Sequence, residues 1–465
     1  MERTFSEYVD SLRGKRIAVV GAGISNTPLI EALLAAGIDT TVCDKRTRDE
    51  LGEPAGVFER RGAKLCLGER YLDALTDDLQ ADVIFRTPGL MPSNPALLTA
   101  AERGAVLTSE MEVFFEVCPC KVIGVTGSDG KTTTTSIIAE ILKNEGRTVH
   151  VGGNIGTPLL TKADKMSADD IAVLELSSFQ LITMSKSPDV AVVTNLSPNH
   201  LDIHKDMEEY TEAKRNIFMY QSQTARAVFN LDNEYTRMYA DSAPGQVLFF
   251  SRREHVRNGV FLDGGIIYEA TDGKAEAVMQ AGEILLPGIH NVENYMAAFA
   301  AVRGLAGRDA MIQTANTFRG VQHRIELVRT HRGVRYYNDS IASSPTRTIA
   351  GLRAFDQKVI LIAGGKDKGI GFGELGAEVV SRVKTLVLTG FTAERIRAAV
   401  GNSQRYAGAP EIIMCGEFRE AVIAASEAAQ EGDIVLLSPA CTSFDMFRNF
   451  EERGDTFKEI VNGLE

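Results

Sequence analysis

A strand-like run, Lys121 to Val125, leads into Thr126-Gly127-Ser128-Asp129-Gly130-Lys131-Thr132. A helix pattern continues from there, with Ile137, Ile138, Ile141 and Leu142 on one face and Gly146 as its stop. A glycine-rich turn between strand and helix points several backbone amides at one place. Lys131 adds a mobile cation for the β- and γ-phosphates of a nucleotide, and the Thr132 hydroxyl suits magnesium. The spacing departs from the common phosphate loop, because Val125 stands where that loop has its first glycine; Gly127 and Gly130 keep the turn open. Ser128, Asp129 and Thr133 complete the expected nucleotide-binding set. A loop of this kind confines its surroundings to the α/β class, with ATP as the expected nucleotide.

Strand-like and helix-like runs alternate along most of the chain, the pattern of parallel sheets covered by helices. In the first block the strand Arg16 to Val20 runs into Gly21-Ala22-Gly23-Ile24-Ser25-Asn26, followed by a helix with Leu29, Ile30, Leu33 and Leu34 on one face. A second strand, Thr40 to Cys43, ends at Asp44. This resembles a dinucleotide-binding fingerprint whose third glycine is replaced by Asn26, and a diphosphate suits such a helix N-terminus. Thr87-Pro88-Gly89 follows the strand Val83 to Arg86 and falls at the same carboxyl edge, where open α/β sheets take their ligands. A last block starts near Val321, with strands around Val334 to Tyr337, Val359 to Ala363, Leu386 to Thr389 and Ile434 to Leu437. The expected fold is α/β in three domains. Residues 1–110 form a Rossmann-like domain, 111–320 a central mononucleotide-binding domain of phosphate-loop type with a parallel sheet, and 321–465 a second Rossmann-like domain.

The net charge of −12 argues against a nonspecific nucleic-acid binder. No run reaches the ~18 apolar residues of a membrane helix, and the first residues lack the apolar segment of a secretory signal. A cytoplasmic protein without membrane or nucleic-acid partners is expected, with its six cysteines reduced. Cys118 and Cys120 are one proline apart, which is not zinc spacing.

The loop alone does not choose among hydrolase, kinase and ligase. Glu175 ends a buried-looking strand before Leu176-Ser177-Ser178-Phe179-Gln180, a position suited to holding magnesium. Asn154 lies in a second glycine-rich turn, Gly153-Asn154-Ile155-Gly156. His200 follows the strand ending at Asn195, where an imidazole nitrogen can bind metal while Asp202 orients its surroundings.

Taken together, these motifs resemble the Mur ligase family, over essentially the whole chain. The stretches that carry the likeness are Thr126 to Thr132, Glu175 to Gln180, Asn195 to Asp202, Gly288-Ile289-His290-Asn291-Val292-Glu293-Asn294, His323-Arg324 and Leu437 to Asp445. The last points to the D-glutamate-adding members. The resemblance implies an ADP-forming ligase. In it, the carboxylate of UDP-N-acetylmuramoyl-L-alanine takes the γ-phosphoryl group of ATP, and the amine of D-glutamate displaces phosphate from the acyl phosphate. It implies two magnesium ions, one held by Thr132 and Glu175 and the other by His200 and a carbamylated Lys214, with Lys131, Glu175, His200 and Lys214 as the catalytic set. Asn291 and Asn294 would reach the adenine, and Arg324 and Asp339 the phosphates and ribose. Lys368, Ser343, Ser443, Phe444 and Phe450 would receive D-glutamate. Ser25, Asn26, Asp44, Thr87, Pro88, Gly89 and Asn154 would hold the UDP-linked substrate. The working form would be a monomer. After Asn338-Asp339-Ser340 the sequence departs from several relatives, which have Lys-Ala-Thr-Asn where Ile341-Ala342-Ser343-Ser344 stands here; Arg347 is the nearest cation that could supply the absent lysine's contact.

Three other readings remain open at this level: an amide ligase with another amino acid or folate as substrate, a nucleotide-hydrolysing switch, and a silent nucleotide-binding module. The chain has no Asp-Asn-Pro-Arg stretch, the mark of diaminopimelate- or lysine-adding relatives. Lys368 with Ser443 speaks against a switch, and intact Lys131, Glu175 and His200 against a silent module.

Overall fold

The structure, a computed structural model, describes residues 3–76, 80–198, 203–367, 369–404 and 406–464. It contains three sheets, with helices between their strands, as the alternating pattern predicts. The first holds β1 (Ile17–Val20), β2 (Thr40–Asp44), β3 (Lys64–Leu67), β4 (Val83–Phe85) and β5 (Val106–Thr108), in the order β3-β2-β1-β4-β5. All its pairings are parallel. The chain reverses direction across this sheet at β1 and β4, so the turns after these two strands share one carboxyl edge. They touch there: a Cβ on Gly21 would fall 2.9 Å from Cβ of Thr87.

The second sheet is built from β6 (Lys121–Thr126), β7 (Val149–Gly153), β8 (Ile171–Glu175), β9 (Val190–Val193), β10 (Arg226–Asn230), β11 (Gln246–Ser251), β12 (Gly259–Asp263), β13 (Ile266–Thr271) and β14 (Lys274–Gln280). Its order is β14-β13-β12-β11-β10-β9-β6-β8-β7. The run from β12 to β7 is parallel, as expected for the central block, but β13 and β14 add antiparallel pairs to a sheet expected to be parallel. Two-residue turns make them: Gly264-Gly265 and Asp272-Gly273, with φ of 55°, 81°, 49° and 84°. Two consecutive left-handed residues match the twist of a tight hairpin. β6 lies between β8 and β9, so the turns after these three strands converge. One continuous apolar core joins the first two sheets, from Val19 and Phe85 through Phe114 to Leu174 and Ala191.

The third sheet contains β15 (Glu326–His331), β16 (Val334–Asn338), β17 (Val359–Ala363), β18 (Val383–Leu388), β19 (Glu411–Met414) and β20 (Ile434–Leu437), ordered β15-β16-β20-β17-β18-β19. β15 is antiparallel to β16 through another two-residue turn, Arg332-Gly333, and the remaining pairings are parallel. Its central strands read as unbroken apolar runs because both faces are covered. Leu361 and Leu436 enter one core, and Ile360, Ile362, Val435 and Leu437 the other.

The chain divides into two compact units: residues 1–281 with 293–314, carrying the first two sheets, and residues 282–292 with 315–465, carrying the third. No helix among the described residues is long and apolar enough to cross a membrane.

Candidate active site

The turn after β6 wraps the start of helix Lys131–Asn144. Backbone and side-chain hydrogen bonds with the segment after β9 hold its shape. Ser128 N donates to Asn195 O at 2.8 Å, Asp129 N to Asn195 Oδ1 at 2.9 Å, and Thr194 Oγ1 to Asp129 O at 2.6 Å. Two glycines allow this approach. A Cβ on Gly127 (φ 150°) would fall 1.9 Å from Thr194 Oγ1, and one on Gly130 (φ 78°) 2.4 Å from Asn294 Oδ1. Gly127→Ala is therefore expected to weaken binding of a nonhydrolysable ATP analogue more than tenfold, about 1.4 kcal/mol or more. Fluorescent-nucleotide titration measures this, and an unchanged affinity would contradict the tight loop.

Lys131 Nζ donates to Gly127 O and Ser128 O at 2.9 and 3.0 Å, which holds the cation against the loop. At the neighbouring strand end, Thr132 Oγ1 donates to Glu175 Oε2 at 2.7 Å and Asn154 Nδ2 to Glu175 Oε1 at 2.8 Å. Asn154 N also donates to Glu175 O, so the second glycine-rich turn is a bracket for this carboxylate. Glu175 is buried and both its oxygens are engaged.

Lys214, on helix Met207–Met219, is only 1% exposed. Its amine donates to Gly127 O at 2.9 Å and Thr126 Oγ1 at 3.1 Å, and lies 4.9 Å from the centre of the Tyr210 ring. Burial, then the nearby Lys131 charge, pushes its pKa well below the usual lysine value, a shift toward the neutral amine. Tyr210, one helical turn before Lys214, was not singled out from sequence. Ser128 Oγ donates to Ser197 O, so the Tyr210 hydroxyl, 2.9 Å away, donates to Ser128 Oγ. The i, i+4 spacing on an amphipathic helix was the available signal. His200, the remaining member of the expected metal set, lies outside the described residues, as do Asp202, expected to orient its surroundings, and Lys368.

At the first sheet's edge the expected residues divide into two kinds. Ser25 is partly exposed, as are Thr87 and Pro88, and Gly89 is exposed. Asn26 and Asp44 face inward, which alters how they can serve a ligand. Asn26 Nδ2 donates to Val20 O and Gly21 O, so its side chain props the turn. Asp44 accepts from Ala22 N at 2.7 Å and pairs with Arg46 at 2.8 Å. Burial alone would raise its pKa, but the Arg46 side chain and the Arg46 and Ala22 amides outweigh burial and hold it at about 2.

Asn294 accepts from Thr134 Oγ1 at 3.3 Å beside the phosphate loop; Asn291, three positions earlier on helix Ile289–Val302, donates to Pro287 O. In the second unit, Asp339 follows β16 and is buried. Burial, the largest effect, pushes its carboxyl to about 7 against the opposing pull of the Ser438 hydrogen bond and the Arg324 charge. Ser343 is partly exposed beside this turn, and Arg347 donates to Ile341 O at 3.3 Å. Ser443 is buried, Phe444 is 62% exposed and Phe450 packs edge-on against His323. Arg453, which sequence reasoning passed over, is buried and ties Ser340 O to Cys441 O, bracing the turns after β16 and β20.

Residues 125–302 match the family described as Mur ligase middle domain, and residues 323–441 that described as Mur ligase, glutamate ligase domain. The chain is 51% identical over 465 residues to a UDP-N-acetylmuramoylalanine–D-glutamate ligase of Clostridium novyi and 50% identical over 470 residues to that of Acetivibrio thermocellus, with each chain covered completely. Among solved structures, the UDP-N-acetylmuramate–alanine ligase of Thermotoga maritima superposes with a TM-score of 0.56 at 17% identity, covering 96% of this chain and 99% of its own. The MurF ligase of Thermotoga maritima in complex with ADP gives 0.54 at 20%, covering 98% and 96%. These two likenesses extend to the fold. With identity of about half along the full length, the chain belongs to the Mur ligase family.

Proposed function

We propose that the protein is an ATP-dependent ligase that joins D-glutamate to UDP-N-acetylmuramoyl-L-alanine in peptidoglycan precursor synthesis. Full-length identity of about half to ligases named for this reaction carries the substrate pair. The convergence of Lys131, Thr132, Glu175 and Lys214 on one loop supports the chemistry.

The three blocks divide the work. Residues 1–110 receive the UDP-linked substrate, 111–320 hold ATP, and 321–465 deliver the amino acid. The substrate carboxylate attacks the γ-phosphorus and ADP leaves. The free amine of D-glutamate then attacks the acyl carbon, phosphate leaves with the C–O bond electrons, and the amine gives up its proton. The chain's part is to position the reactants and neutralise charge. Lys131 lies against the triphosphate, the loop amides donate to its oxygens, and Asn291, Asn294, Arg324 and Asp339 hold the nucleoside end. Lys368, Ser343, Ser443, Phe444 and Phe450 orient D-glutamate.

The donors present suit a hard divalent cation. The Thr132 hydroxyl and the Glu175 carboxylate, 2.7 Å apart, offer oxygens at the helix start. His200 and Lys214 would hold a second ion. Lys214 serves as an oxygen donor once its neutral amine has added carbon dioxide and lost a proton to become a carbamate. When bound, magnesium neutralises the crowded phosphate oxygens. The working form on this reading is a cytoplasmic monomer.

Phosphate release with ATP and UDP-N-acetylmuramoyl-L-alanine, measured across a panel of D- and L-amino acids, tests the assignment. Release is expected with D-glutamate and at background with the rest. Release that is indifferent to D-glutamate would overturn it.

A further inference from the structure

A histidine outside the reaction centre joins two of the elements that build it. His204 has a fully buried side chain, and both ring nitrogens have partners. Nε2 lies 2.9 Å from Ser178 Oγ and Nδ1 3.2 Å from Glu209 Oε2. Its ring stacks on Phe179, with centroids 5.0 Å apart and planes at 5°, and meets Tyr210 edge-on at 5.4 Å. Glu209 is itself anchored, because it also accepts from Lys205 N at 2.9 Å while its own amide donates to the Asp206 cap.

These partners sit on separate parts of the site. Ser178 and Phe179 belong to the short helix Ser178–Leu181, three and four residues beyond Glu175. Glu209 and Tyr210 belong to the helix that carries Lys214, and Tyr210 donates to Ser128 of the phosphate loop. One imidazole thus bridges the strand end bearing Glu175 to the helix bearing Lys214. The Glu209 carboxylate accepts only, so Nδ1 carries a proton and donates to it, while Nε2 pairs with the Ser178 hydroxyl. The serine–histidine–carboxylate order resembles a nucleophile with its base, but Ser178 is only 2% exposed.

We propose that His204 is a positioning residue for the ligase reaction: it sets the spacing of Glu175 and Lys214 by tying helix Ser178–Leu181 to helix Met207–Met219. This rests on the reading that Glu175 and Lys214 act together at the centre. Two hydrogen bonds and an aromatic stack on one buried ring leave little freedom between the helices, and an error of about 1 Å in such a site costs on the order of 10²-fold in rate.

His204→Phe keeps the stack and removes both hydrogen bonds. His204→Gln can restore the bond to Ser178, and Ser178→Ala removes that bond alone. The expected result for His204→Phe is a fall in kcat of about 10²-fold with affinity for an ATP analogue within twofold of wild type. His204→Gln is expected to recover part of the loss, and Ser178→Ala to lose roughly tenfold in kcat while remaining folded, with a somewhat lower thermal midpoint because Nε2 is left unpaired. If His204→Phe does not fold, Ser178→Ala decides. A kcat within twofold of wild type for folded His204→Phe or for Ser178→Ala would overturn the proposal, as would a loss that follows nucleotide affinity. Lys214→Ala, assayed alongside, separates the two ideas. Full activity there would remove the underlying centre, whereas an inactive Lys214→Ala with an active His204→Phe removes only the role of His204.

Discussion

Lys214→Ala is expected to lower turnover by about 10³-fold, the upper scale for losing one preorganised charge-stabilising group. The amine of this residue lies against Thr126 and Gly127 beside the Tyr210 ring, where Lys131 also bonds Gly127 O. The substitution leaves a small buried cavity with polar walls. Acetate or propionate added at high concentration is expected to enter it and restore a measurable fraction of activity, because a carboxylate replaces the carbamate oxygens. Lys214→Met fills the cavity and should resist such rescue. Initial rates of phosphate release with and without the acids check both points. Unimpaired activity of Lys214→Ala would end the carbamate reading. An impaired enzyme that no acid restores would leave the lysine necessary without that chemistry.

Asp339→Asn is expected to stabilise the carboxyl-terminal unit at pH 8 while weakening ATP binding. The folded carboxyl titrates at about 7, above its ordinary value, because burial disfavours its charge. A folded pKa above the unfolded one means that stability is complete below the unfolded pKa and falls as pH rises through the folded pKa. Wild type therefore loses stability between about pH 4 and pH 7, by roughly 1.4 kcal/mol for each pH unit between the two pKa values, or a few kcal/mol in all. The asparagine variant has no such slope and still accepts the Ser438 hydroxyl, which lies 2.8 Å from Asp339 Oδ2. Thermal unfolding midpoints of the two proteins should converge near pH 4 and separate by pH 8, with the variant higher. Equal midpoints at pH 8 would contradict the buried charge. The stability sacrificed at neutral pH suits a group placed to meet a ligand.

The phosphate loop, the alternating elements and the principal strands were legible because each has a local signature. β17 and β20 fall on the predicted residues, and most of the other strands that were predicted within a residue or two; β3, β5, β7, β10 to β15 and β19 were not singled out. The two-residue turns at Gly264-Gly265 and Asp272-Gly273 were equally readable as hairpin signals, yet the expectation of a purely parallel central sheet hid them. Asn26 and Asp44 show the opposite case. A fingerprint places them at a ligand's edge, but their side chains turn inward because the Gly21–Ala22 turn needs an amide donor and a carboxylate acceptor to hold it.

Sequence by itself determined the α/β class, the glycine-rich loop between strand and helix, the family and the types of side chain available for chemistry. Those follow from local periodicity and from motifs a few residues long. Tertiary structure decided which of these residues meet. Thr132 reaches Glu175 across 43 positions, and Lys214 reaches Thr126 across 88, because β6 lies between β8 and β9 and brings their ends to one edge. It also decided that Lys214 is buried beside the Lys131 charge and that His204 bridges two helices. Desolvation and long-range packing depend on strand order, and no local window of sequence contains it.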